Sequence, residues 1–549
     1  MQKTYDFIIV GGGSAGAVLA ARLSEDPAKS VLLLEAGGRD LHPLYHLPAG
    51  FAKMTKGIGS WGWQTVPQRH MRGLQIRYTQ ARVIGGGSSI NAQIYTRGHA
   101  LDYEEWRQMG CTGWGYSDVL PYFRKAEDND TWNNDFHGQG GPLGVSQPRA
   151  PLPICEAYFK AAAQLGIPRN MDMTGAVQDG VGYYQLTQKN FRRSSTATAY
   201  LRPAKGRANL TVKTGAQVLR IVIESGRAVG VELDGGILRA GTEVILSAGA
   251  IGSPRLLQLS GIGPADHLRA LGLPVVLDQP NVGANLQDHL DLFVIAECTG
   301  PHTYDRFAKP HLSALAGMQY LLTRKGPVAS SLFETGGFWY ADPDARSPDI
   351  QLHLGLGSGI ESGVEAMPQG GVTLNSAYLR PRSRGTVRLS SADPLSAPLI
   401  DPNYWADPHD REMSIRGLKL AREIMRQSAL APYVLAERLP GPGVQSDEEY
   451  IAYACKHAKT DHHPAGTCRM GVDAGAVVDP QLRFNGIDGL RIVDASVMPN
   501  VVSSNTNAPT IMIAEKAADM IDASHSHVRP AAQAHILASA GLANPEGQR

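Results

Sequence analysis

A glycine motif near the start of the chain has the residue types and spacing of a nucleotide-phosphate site. Gly11, Gly13 and Gly16 form the pattern G-x-G-x-x-G directly after the apolar run at 5–10. The first glycine permits a tight turn, the second lets the backbone approach a pyrophosphate, and the third lets strand and helix pack closely. Glu35 follows about 20 residues later, where a carboxylate accepts hydrogen bonds from ribose hydroxyls. The motif predicts a dinucleotide site; an ordinary glycine turn with a surface glutamate is the alternative.

A second chemical signal is the pair His462 and His463, which Pro464 follows in a late Gly- and Cys-containing segment. Histidine is the usual general base at neutral pH. The same pair, with His457 and Asp461, also has the composition of a metal site. Proximity in sequence does not supply a convergent geometry, and we expect no metal.

The elements around the glycine motif form a βαβ unit. Residues 5–10 and 30–35 read as strands, and residues 15–24 between them read as a helix of small residues. Their continuous apolar runs are typical of a parallel sheet that is covered on both faces. From residue 209 to 233, apolar and polar residues alternate around Gly226, which indicates antiparallel strands.

The rest of the chain mixes both types of element. Residues 242–250 read as a strand, and a helix is predicted to follow with Ser253 as its N-cap and Pro254 at its first position. The region 331–400 is strand-like. Further helices are predicted at 101–127 in part, 155–166, 310–324, 408–427, 446–458 and 509–523.

Composition excludes several classes of protein. The 549 residues include 52 Lys and Arg and 51 Asp and Glu, which argues against a nucleic-acid binder or a polybasic membrane-surface protein. No apolar run reaches the ~18 residues of a transmembrane segment. Asp6 and the glycine pattern favour a folded strand over a signal peptide. Five scattered cysteines without a CxxC pair fit a reducing compartment, so we expect a cytoplasmic location.

Six ordered segments carry a family resemblance. They are ARVIGGGSSINAQIYTRG (81–98), GAIGSPRLLQLSGIG (249–263), NVGANLQDH (281–289), HHPAGTCRMG (462–471), RIVDASVMP (491–499) and NTNAPTIMIAEKAADMI (505–521). Together with the N-terminal glycine motif, they resemble the glucose-methanol-choline (GMC) oxidoreductases.

The resemblance implies an α/β chain, α+β overall. A Rossmann-like FAD-binding domain with a parallel sheet would be interleaved with a substrate domain built on an antiparallel sheet with helices. The expected FAD-binding domain is discontinuous and comprises residues 1–150, 200–300 and 470–525. The expected substrate domain comprises residues 151–199 and 301–469, and we expect the tail 526–549 to be disordered.

The resemblance also implies where FAD binds. The loop from Gly86 to Ile94 would pass the isoalloxazine with Asn91 near it, Val218 would contact the adenine, and Asp494 would approach the ribityl phosphate. Alternatives remain: a flexible loop, a core valine, and an aspartate that only caps a turn. The full expected set is Gly11, Gly13, Ser14, Ala15, Gly16, Glu35, Ala36, Trp61, Arg82, Gly86, Gly87, Asn91, Ile94, Val218, Asp494, Ala495 and Asn507.

The family's catalytic residues transfer to two positions. The catalytic histidine precedes a proline, so the resemblance assigns the base to His463, and it places Asn507 as the second catalytic residue. Asn507 could alternatively only cap the helix that starts near Pro509. Some relatives bind FAD covalently through a histidine just before the loop asparagine; here that position is Ile90, so we predict non-covalent FAD.

The substrate is predicted less sharply. Segments 42–55, 326–343 and 379–394 resemble bacterial FAD-dependent L-sorbose dehydrogenases, which implies a sugar or polyol alcohol oxidised to an aldehyde. Aliphatic or aromatic alcohols, glycols and choline remain alternatives, as do a flavin-containing hydroxynitrile lyase and a non-catalytic flavin-binding protein. The electron acceptor would be a quinone, a redox protein or dioxygen. Trp61 and Trp63 would line the substrate path or pack in the core.

Overall fold

A seven-stranded sheet carries the N-terminal strand. The computed structural model describes residues 4–54, 57–358, 367 and 369–526, so the predicted tail lies almost wholly outside the described residues. Six strands of this first sheet follow in the order Leu210–Thr214, Val31–Glu35, Thr4–Val10, Gly236–Leu246, Arg227–Leu233 and Val218–Glu224, and Leu490–Ile492 pairs beside Gly236–Leu246.

The centre of the first sheet is parallel, as the βαβ pattern predicts. Thr4–Val10 pairs in parallel with Val31–Glu35 on one side and with Gly236–Leu246 on the other. The alternating run after residue 209 is only partly antiparallel. Val218–Glu224 and the strand after it form a hairpin, but Leu210–Thr214 pairs in parallel with Val31–Glu35. The local pattern cannot reveal this, because the partner strand is far away in sequence.

The second sheet is antiparallel throughout. Its main path follows the order Val434–Leu439, Leu290–Cys298, Gly371–Tyr378, Ile350–Gly355, Thr335–Trp339 and Gly180–Tyr183, and Lys459–Thr460 pairs with the start of Leu290–Cys298. The helices Pro153–Gln164 and Pro408–Met425 share an apolar core with this sheet. The mixed α/β architecture with one largely parallel and one antiparallel sheet confirms the predicted fold class.

The strand Leu290–Cys298 belongs to the second sheet, although residues 200–300 were assigned to the FAD-binding domain. The chain therefore enters the second sheet about ten residues earlier than the expected boundary. The apolar strand pattern here carries no information about which sheet receives it, and the division into domains otherwise stays a prediction.

The other elements are short strands and helices. The short strand pairs are Trp63–Gln64 with Arg77–Tyr78, Ile94–Tyr95 with Gln185–Leu186, Glu127–Asn129 with Leu143–Val145, Gln188–Lys189 with Arg192–Arg193, Ile262–Gly263 with Leu277–Asp278, and Thr386–Arg388 with Leu399–Asp401. The remaining α-helices are Ser14–Leu23, Phe51–Met54, Ala100–Gln108, Tyr116–Ala126, Gly249–Leu259, Ala265–Ala270, Pro310–Thr323, Asp447–His457 and Asn507–Ser526. No helix within the described ranges is long and apolar enough to cross a membrane.

The helix predicted to start at Ser253 begins earlier, at Gly249, so the capping prediction is wrong. Ser253 lies inside the helix, and its hydroxyl donates to Oδ2 of Asp494 at 2.5 Å. Pro254 also lies inside, where it removes the amide that would bond to the carbonyl of Ala250. The hydroxyl of Thr467 donates to that carbonyl at 2.6 Å, so the acceptor is satisfied from elsewhere in the fold.

Replacing Gly16 with alanine should destabilise the protein, because the new Cβ would lie 1.9 Å from the carbonyl oxygen of Gly11. We expect a loss of about 1–3 kcal/mol or more, measured as a lower thermal midpoint. The control is Gly317→Ala, a helical position where a Cβ meets nothing within 4 Å and where alanine favours the helix. Equal midpoints for the two variants would contradict the packing argument.

Candidate active site

The glycine motif turns the chain from the first strand into a helix. Gly11 has a φ of 103°, which glycine adopts without strain, and Gly16 packs against its carbonyl. The helix Ser14–Leu23 begins directly after Gly13 without a side-chain cap from any described residue. Its first amides therefore face outward from the helix N-terminus, where an anionic phosphate is stabilised.

Glu35 lies beside this turn, at the end of the second strand. Its Oε2 accepts a hydrogen bond from the amide of Gly12 at 2.8 Å, and its Oε1 accepts one from the amide of Gly37 at 2.6 Å. Burial raises the pKa of the carboxyl, and the two amides oppose that shift. The carboxylate is thereby fixed at the position where the sequence predicts ribose recognition.

A second glycine loop crosses the first one. A Cβ at Gly86 would lie 2.5 Å from Cα of Gly13, whereas a Cβ at Gly87 would meet nothing within 4 Å. Asn91 is held by Arg193, whose Nη1 donates to the side-chain oxygen of Asn91 at 2.7 Å. The loop is therefore ordered by its own contacts, and it leaves open space over Gly87 for a flat ring.

Asp494 caps a short helix and also lines a cavity that contains the two glycine loops. Its Oδ1 accepts from the amide of Ser496 at 2.8 Å at the start of a short helix, and its Oδ2 accepts from the amide of Gly249 at 2.9 Å. Asp494 therefore caps a turn, as the alternative interpretation expects, and it is also placed to approach a ligand in the cavity. Ala495 lines the cavity beside it.

His463 lies where the second sheet meets this cavity. The short strand Lys459–Thr460 pairs with the start of Leu290–Cys298, which brings His463 beside His289. The two Nδ1 atoms are 3.0 Å apart, and the amide of His463 donates to Oδ1 of Asp288 at 2.8 Å. Both imidazoles are buried.

The hydrogen-bond network assigns the tautomer of His463. Nε2 of His289 lies 3.2 Å from the carbonyl oxygen of Leu379, which can only accept, so that nitrogen carries the proton. Nδ1 of neutral His289 is then an acceptor, and Nδ1 of His463 must donate to it. Nε2 of His463 is left with its lone pair and faces the side-chain amide of Asn505, whose Nδ2 lies 3.1 Å away.

Both histidines are neutral at neutral pH. Burial lowers the pKa of His463 well below its ordinary value, and the positive charges of His289 in its protonated form and of Lys459 lower it further. Burial also lowers the pKa of His289 to about 4. Nε2 of His463 is therefore unprotonated, and its lone pair accepts a hydrogen bond from Nδ2 of Asn505.

Two asparagines direct amide groups toward this imidazole and the cavity. Asn505 is oriented by Thr96 and Gln351, which both donate to its Oδ1 at 3.0 Å. Asn507 begins the helix Asn507–Ser526, two residues before the predicted start, and its Oδ1 accepts from Ser14 at 2.8 Å. Its Nδ2 has no partner among the described residues, so the donor remains available to a ligand.

One cavity of about 720 Å³ joins the glycine loops to His463. It brings together nearly all the predicted cofactor residues: Gly11, Gly13, Ser14, Ala15, Glu35, Ala36, Trp61, Gly86, Gly87, Asn91, Ile94, Val218, Asp494, Ala495 and Asn507. Gly16 instead packs beneath the turn, and Arg82 lies over the ring of Trp61 at 4.5 Å. Which ligand atoms each residue contacts stays a prediction.

The wall near His463 combines apolar, polar and charged groups. Phe51 and Phe333 lie 5.7 Å apart on the apolar side. On the polar side, Nε2 of His353 has no partner among the described residues. The ammonium of Lys459 also lines the cavity and pairs with the buried carboxylate of Asp291 at 2.6 Å. A positive charge therefore lies close to the candidate base.

The histidine pair also belongs to a group that could hold a metal ion. Ligand atoms of His289, Asp461 and His463 lie within 4.8 Å of one another, a different set from the one suggested by the sequence. The two Nδ1 atoms share a hydrogen bond, however, and Oδ2 of Asp461 lies 3.4 Å from Nδ1 of His463. These contacts account for the cluster as a hydrogen-bonded proton site without an ion.

Several residues of the site are missed by sequence reasoning. His289 ends the segment NVGANLQDH, and Asn505 begins the segment NTNAPT, so both lie in motifs that carried the resemblance. Their positions in those motifs were the available signal. Lys459 has no such signal, because its importance depends on a pairing with Asp291 across the sheet.

The residues present fit a dinucleotide. The uncapped helix N-terminus suits a pyrophosphate, Glu35 suits a ribose, and the open space over Gly87 suits a flat ring. The unpartnered amide of Asn507 lies at the start of the helix Ser14–Leu23, where Ser14 holds its Oδ1. One cavity therefore contains both the nucleotide end and the reaction end.

Comparisons with known proteins identify similar sequences along nearly the whole chain. The chain is 44% identical over 534 residues to mitochondrial choline dehydrogenase of Homo sapiens, covering 95% of this chain and 90% of that protein. It is 41% identical over 554 residues to alcohol dehydrogenase [acceptor] of Pseudomonas putida, covering 98% of each.

Solved structures are also similar. Pyridoxine 4-oxidase from Mesorbium loti has a TM-score of 0.86 and 34% identity, covering 95% of this chain and 99% of that one. Formate oxidase has a TM-score of 0.89 and 27% identity, covering 96% and 100%. The family models described as GMC oxidoreductase match residues 5–291 and 381–514, which confirms the resemblance read from the sequence segments. The chain belongs to the GMC oxidoreductase family.

Proposed function

We propose that this protein is an FAD-dependent dehydrogenase that oxidises an uncharged alcohol, a sugar or polyol being favoured, to an aldehyde or ketone. The observation that carries the proposal is the neutral imidazole of His463, whose Nε2 lone pair faces the cavity that also holds the glycine loops. FAD, when bound, supplies a hydride acceptor at N5. Family membership and the names of the relatives support alcohol oxidation.

His463 accepts the hydroxyl proton of the substrate at Nε2 after the hydroxyl takes the place of the Asn505 amide at that nitrogen. A low pKa weakens the base, but proton acceptance and loss of the carbon-bound hydride together yield a neutral carbonyl product. The imidazolium that forms is stabilised by Asp461, whose Oδ2 lies 3.4 Å from Nδ1. The hydrogen bond from Nδ1 of His463 to Nδ1 of His289 keeps the His463 ring in the reactive orientation.

The amide of Asn507 is available to the substrate oxygen, and the amide of Asn505 positions the base. The Nδ2 of Asn507 is available because Ser14 holds its Oδ1, and the Nδ2 of Asn505 already points at Nε2 of His463. An amide donor stabilises a developing alkoxide without competing as a base. Asn507 is therefore proposed as a catalytic donor, and Asn505 as the residue that holds the base in position.

The ammonium of Lys459 favours a neutral substrate, although the carboxylates of Asp291 and Asp461 offset part of its charge. Burial is the main cause that lowers the pKa of His463 and of His353, and the positive charge of Lys459 lowers both further, so this charge acts on the reaction end of the cavity. A quaternary ammonium such as that of choline would be repelled there, although relatives are named choline dehydrogenases. The unpartnered Nε2 of His353 supports a substrate with several hydroxyl groups.

The acceptor and the compartment follow from weaker signals. A relative named alcohol dehydrogenase [acceptor] supports an acceptor other than dioxygen, such as a quinone or a redox protein. All five cysteines are free and buried, which supports a reducing compartment such as the cytoplasm. Admitting air to the reduced enzyme tests the acceptor: slow reoxidation is expected.

FAD should be released by denaturation. Ile90 occupies the position at which some relatives carry the linking histidine, and an alkyl side chain cannot form that bond. After acid precipitation we expect the flavin absorbance in the supernatant. A yellow pellet that keeps its flavin through washing in denaturant would contradict the prediction.

Anaerobic addition of a good alcohol substrate should bleach the flavin, and His463→Ala should slow this reduction by about 10²–10⁴-fold because the base is lost. The alcohols tested are L-sorbose, D-sorbitol, choline, benzyl alcohol and a glycol. Flavin reduction by each is measured by stopped-flow absorbance. Flavin content of the variant should match that of the wild type.

The control for this variant is His70→Ala, an exposed histidine away from the cavity. It should reduce at the wild-type rate. A flavin that stays oxidised with every alcohol would instead favour the lyase reading, and unchanged reduction in His463→Ala would refute the assignment of the base.

Choline should be a poorer substrate than 3,3-dimethylbutan-1-ol, its uncharged isostere. Repulsion by Lys459 amounts to roughly 1–2 kcal/mol for partly solvated charges, so kcat/KM should differ by about tenfold. Lys459→Met should narrow the difference, because the ammonium that lines the cavity is removed while the buried carboxylate of Asp291 remains.

Lys456→Met provides the matched control, since Lys456 lines the same cavity but is exposed and is not recorded in contact with Asp291. It should leave the ratio of the two kcat/KM values unchanged. A wild-type preference for choline would overturn the proposed substrate class while leaving alcohol oxidation intact.

A further inference from the structure

One helix on the protein surface exposes a large apolar area. In Pro310–Thr323, Leu315, Met318, Leu321 and Leu322 have exposed fractions of 57%, 55%, 68% and 80%. Their spacing of three and four residues places them along one side of the helix. We call this surface the Pro310-helix face. Four such side chains in one patch are far more than the scattered apolar residues of an ordinary surface.

The helix is held firmly by its opposite side. Ala316 and Tyr320 are buried, and the hydroxyl of Tyr320 donates to the carbonyl of Phe191 at 2.5 Å. The turn Pro327–Ala329 that follows packs against both the helix and the turn Pro48–Gly50. The apolar face is therefore presented outward by an anchored helix.

The charged residues nearest to this helix in sequence, between Asp305 and Glu334, all have one sign. Arg306 and Lys309 precede the helix, and Arg324 and Lys325 follow it, while residues 306–333 contain no aspartate or glutamate. The near-neutral charge of the whole chain argued against a polybasic membrane-surface protein, but it conceals this local cluster. An apolar stripe with cations at both ends is the pattern of a helix that lies in a membrane interface.

We propose that the Pro310-helix face docks this protein on a bilayer that contains anionic lipid. Leu315, Met318, Leu321 and Leu322 enter the boundary between headgroups and acyl chains, and the flanking lysines and arginines contact lipid phosphates. The helix has 14 residues and a length of about 21 Å, shorter than the ~30 Å core, so it lies on the membrane and does not cross it.

A second copy of the chain is a poorer occupant of the face. A two-fold pairing with the helices side by side brings cationic ends against cationic ends, whether the helices run parallel or antiparallel. Such like-charge contacts oppose association, whereas an anionic lipid surface neutralises all four cations at once. The charge pattern therefore selects a lipid surface over self-association.

The face also lies close to the active-site wall. Pro48–Gly50, which contacts the turn after the helix, leads directly into Phe51, and Phe51 and Phe333 line the cavity. Docking at this face would place that wall near the membrane. The docking proposal does not depend on the proposed substrate, and it can be tested without turnover.

The test is flotation of the full-length, flavin-loaded protein with vesicles. We expect binding to vesicles of phosphatidylcholine with phosphatidylglycerol, weaker binding to pure phosphatidylcholine, and loss of the difference at high salt. The variant Leu321→Ser/Leu322→Ser should bind on the order of tenfold more weakly. Its flavin content and rate of flavin reduction should stay at wild-type values, which shows that the fold is intact.

Two further variants separate the causes. Leu395→Ser/Val472→Ser changes two exposed apolar residues elsewhere on the surface and should bind like the wild type. Lys309→Gln/Lys325→Gln should reduce binding to the anionic vesicles only. Absence of binding to both kinds of vesicle, or equal binding by the two apolar double variants, would overturn the proposal. A dimer in light scattering that Leu321→Ser/Leu322→Ser abolishes would assign the face to a second copy.

Discussion

The buried carboxylate of Asp288 is the interaction on which the reaction end of this structure depends. Asp288 lies just before the strand Leu290–Cys298 of the second sheet. Its carboxylate accepts hydrogen bonds from the Tyr78, Tyr404 and Thr460 hydroxyls and from the amide of His463. Burial raises the pKa of the carboxyl, and these donors act against that shift, so the network and the charge require each other. Because one of the donors is the backbone of His463, the same network places the base beside His289.

A chain of buried neutral groups then prepares the base. The carbonyl of Leu379 orients His289, His289 orients His463, and Asn505 faces the remaining nitrogen. Desolvation is what keeps both rings uncharged, and it also removes the water that would compete for the lone pair. The arrangement trades basic strength for a defined proton position, which suits a reaction in which the proton and hydride leave the same alcohol.

The sequence predicts the nucleotide end better than the reaction end, for a physical reason. Gly11, Gly13 and Glu35 act within one βαβ unit, where turn geometry and strand length bring them together locally. The pairs His289–His463 and Asp291–Lys459 join residues far apart in sequence, and their contact depends on strand pairing in the second sheet. The prediction that the helix starts at Ser253 is wrong for the same reason. The amide of Gly249 and the carbonyl of Ala250 find their hydrogen-bond partners, Asp494 and Thr467, in distant segments.

The Pro310 helix shows a further limit of reading patterns. An apolar helix is normally assigned to the core, and residues 310–324 were correctly predicted as helical, but nothing local reveals which side is covered. The exposed leucines are informative only together with the absence of acidic residues from 306 to 333. If the acceptor is a lipid-soluble quinone, confining the enzyme to the bilayer surface raises the effective concentration of that acceptor at the cavity wall without any specific binding pocket for it. Docking on the bilayer would then explain both the exposed Pro310-helix face and the use of a quinone as the electron acceptor.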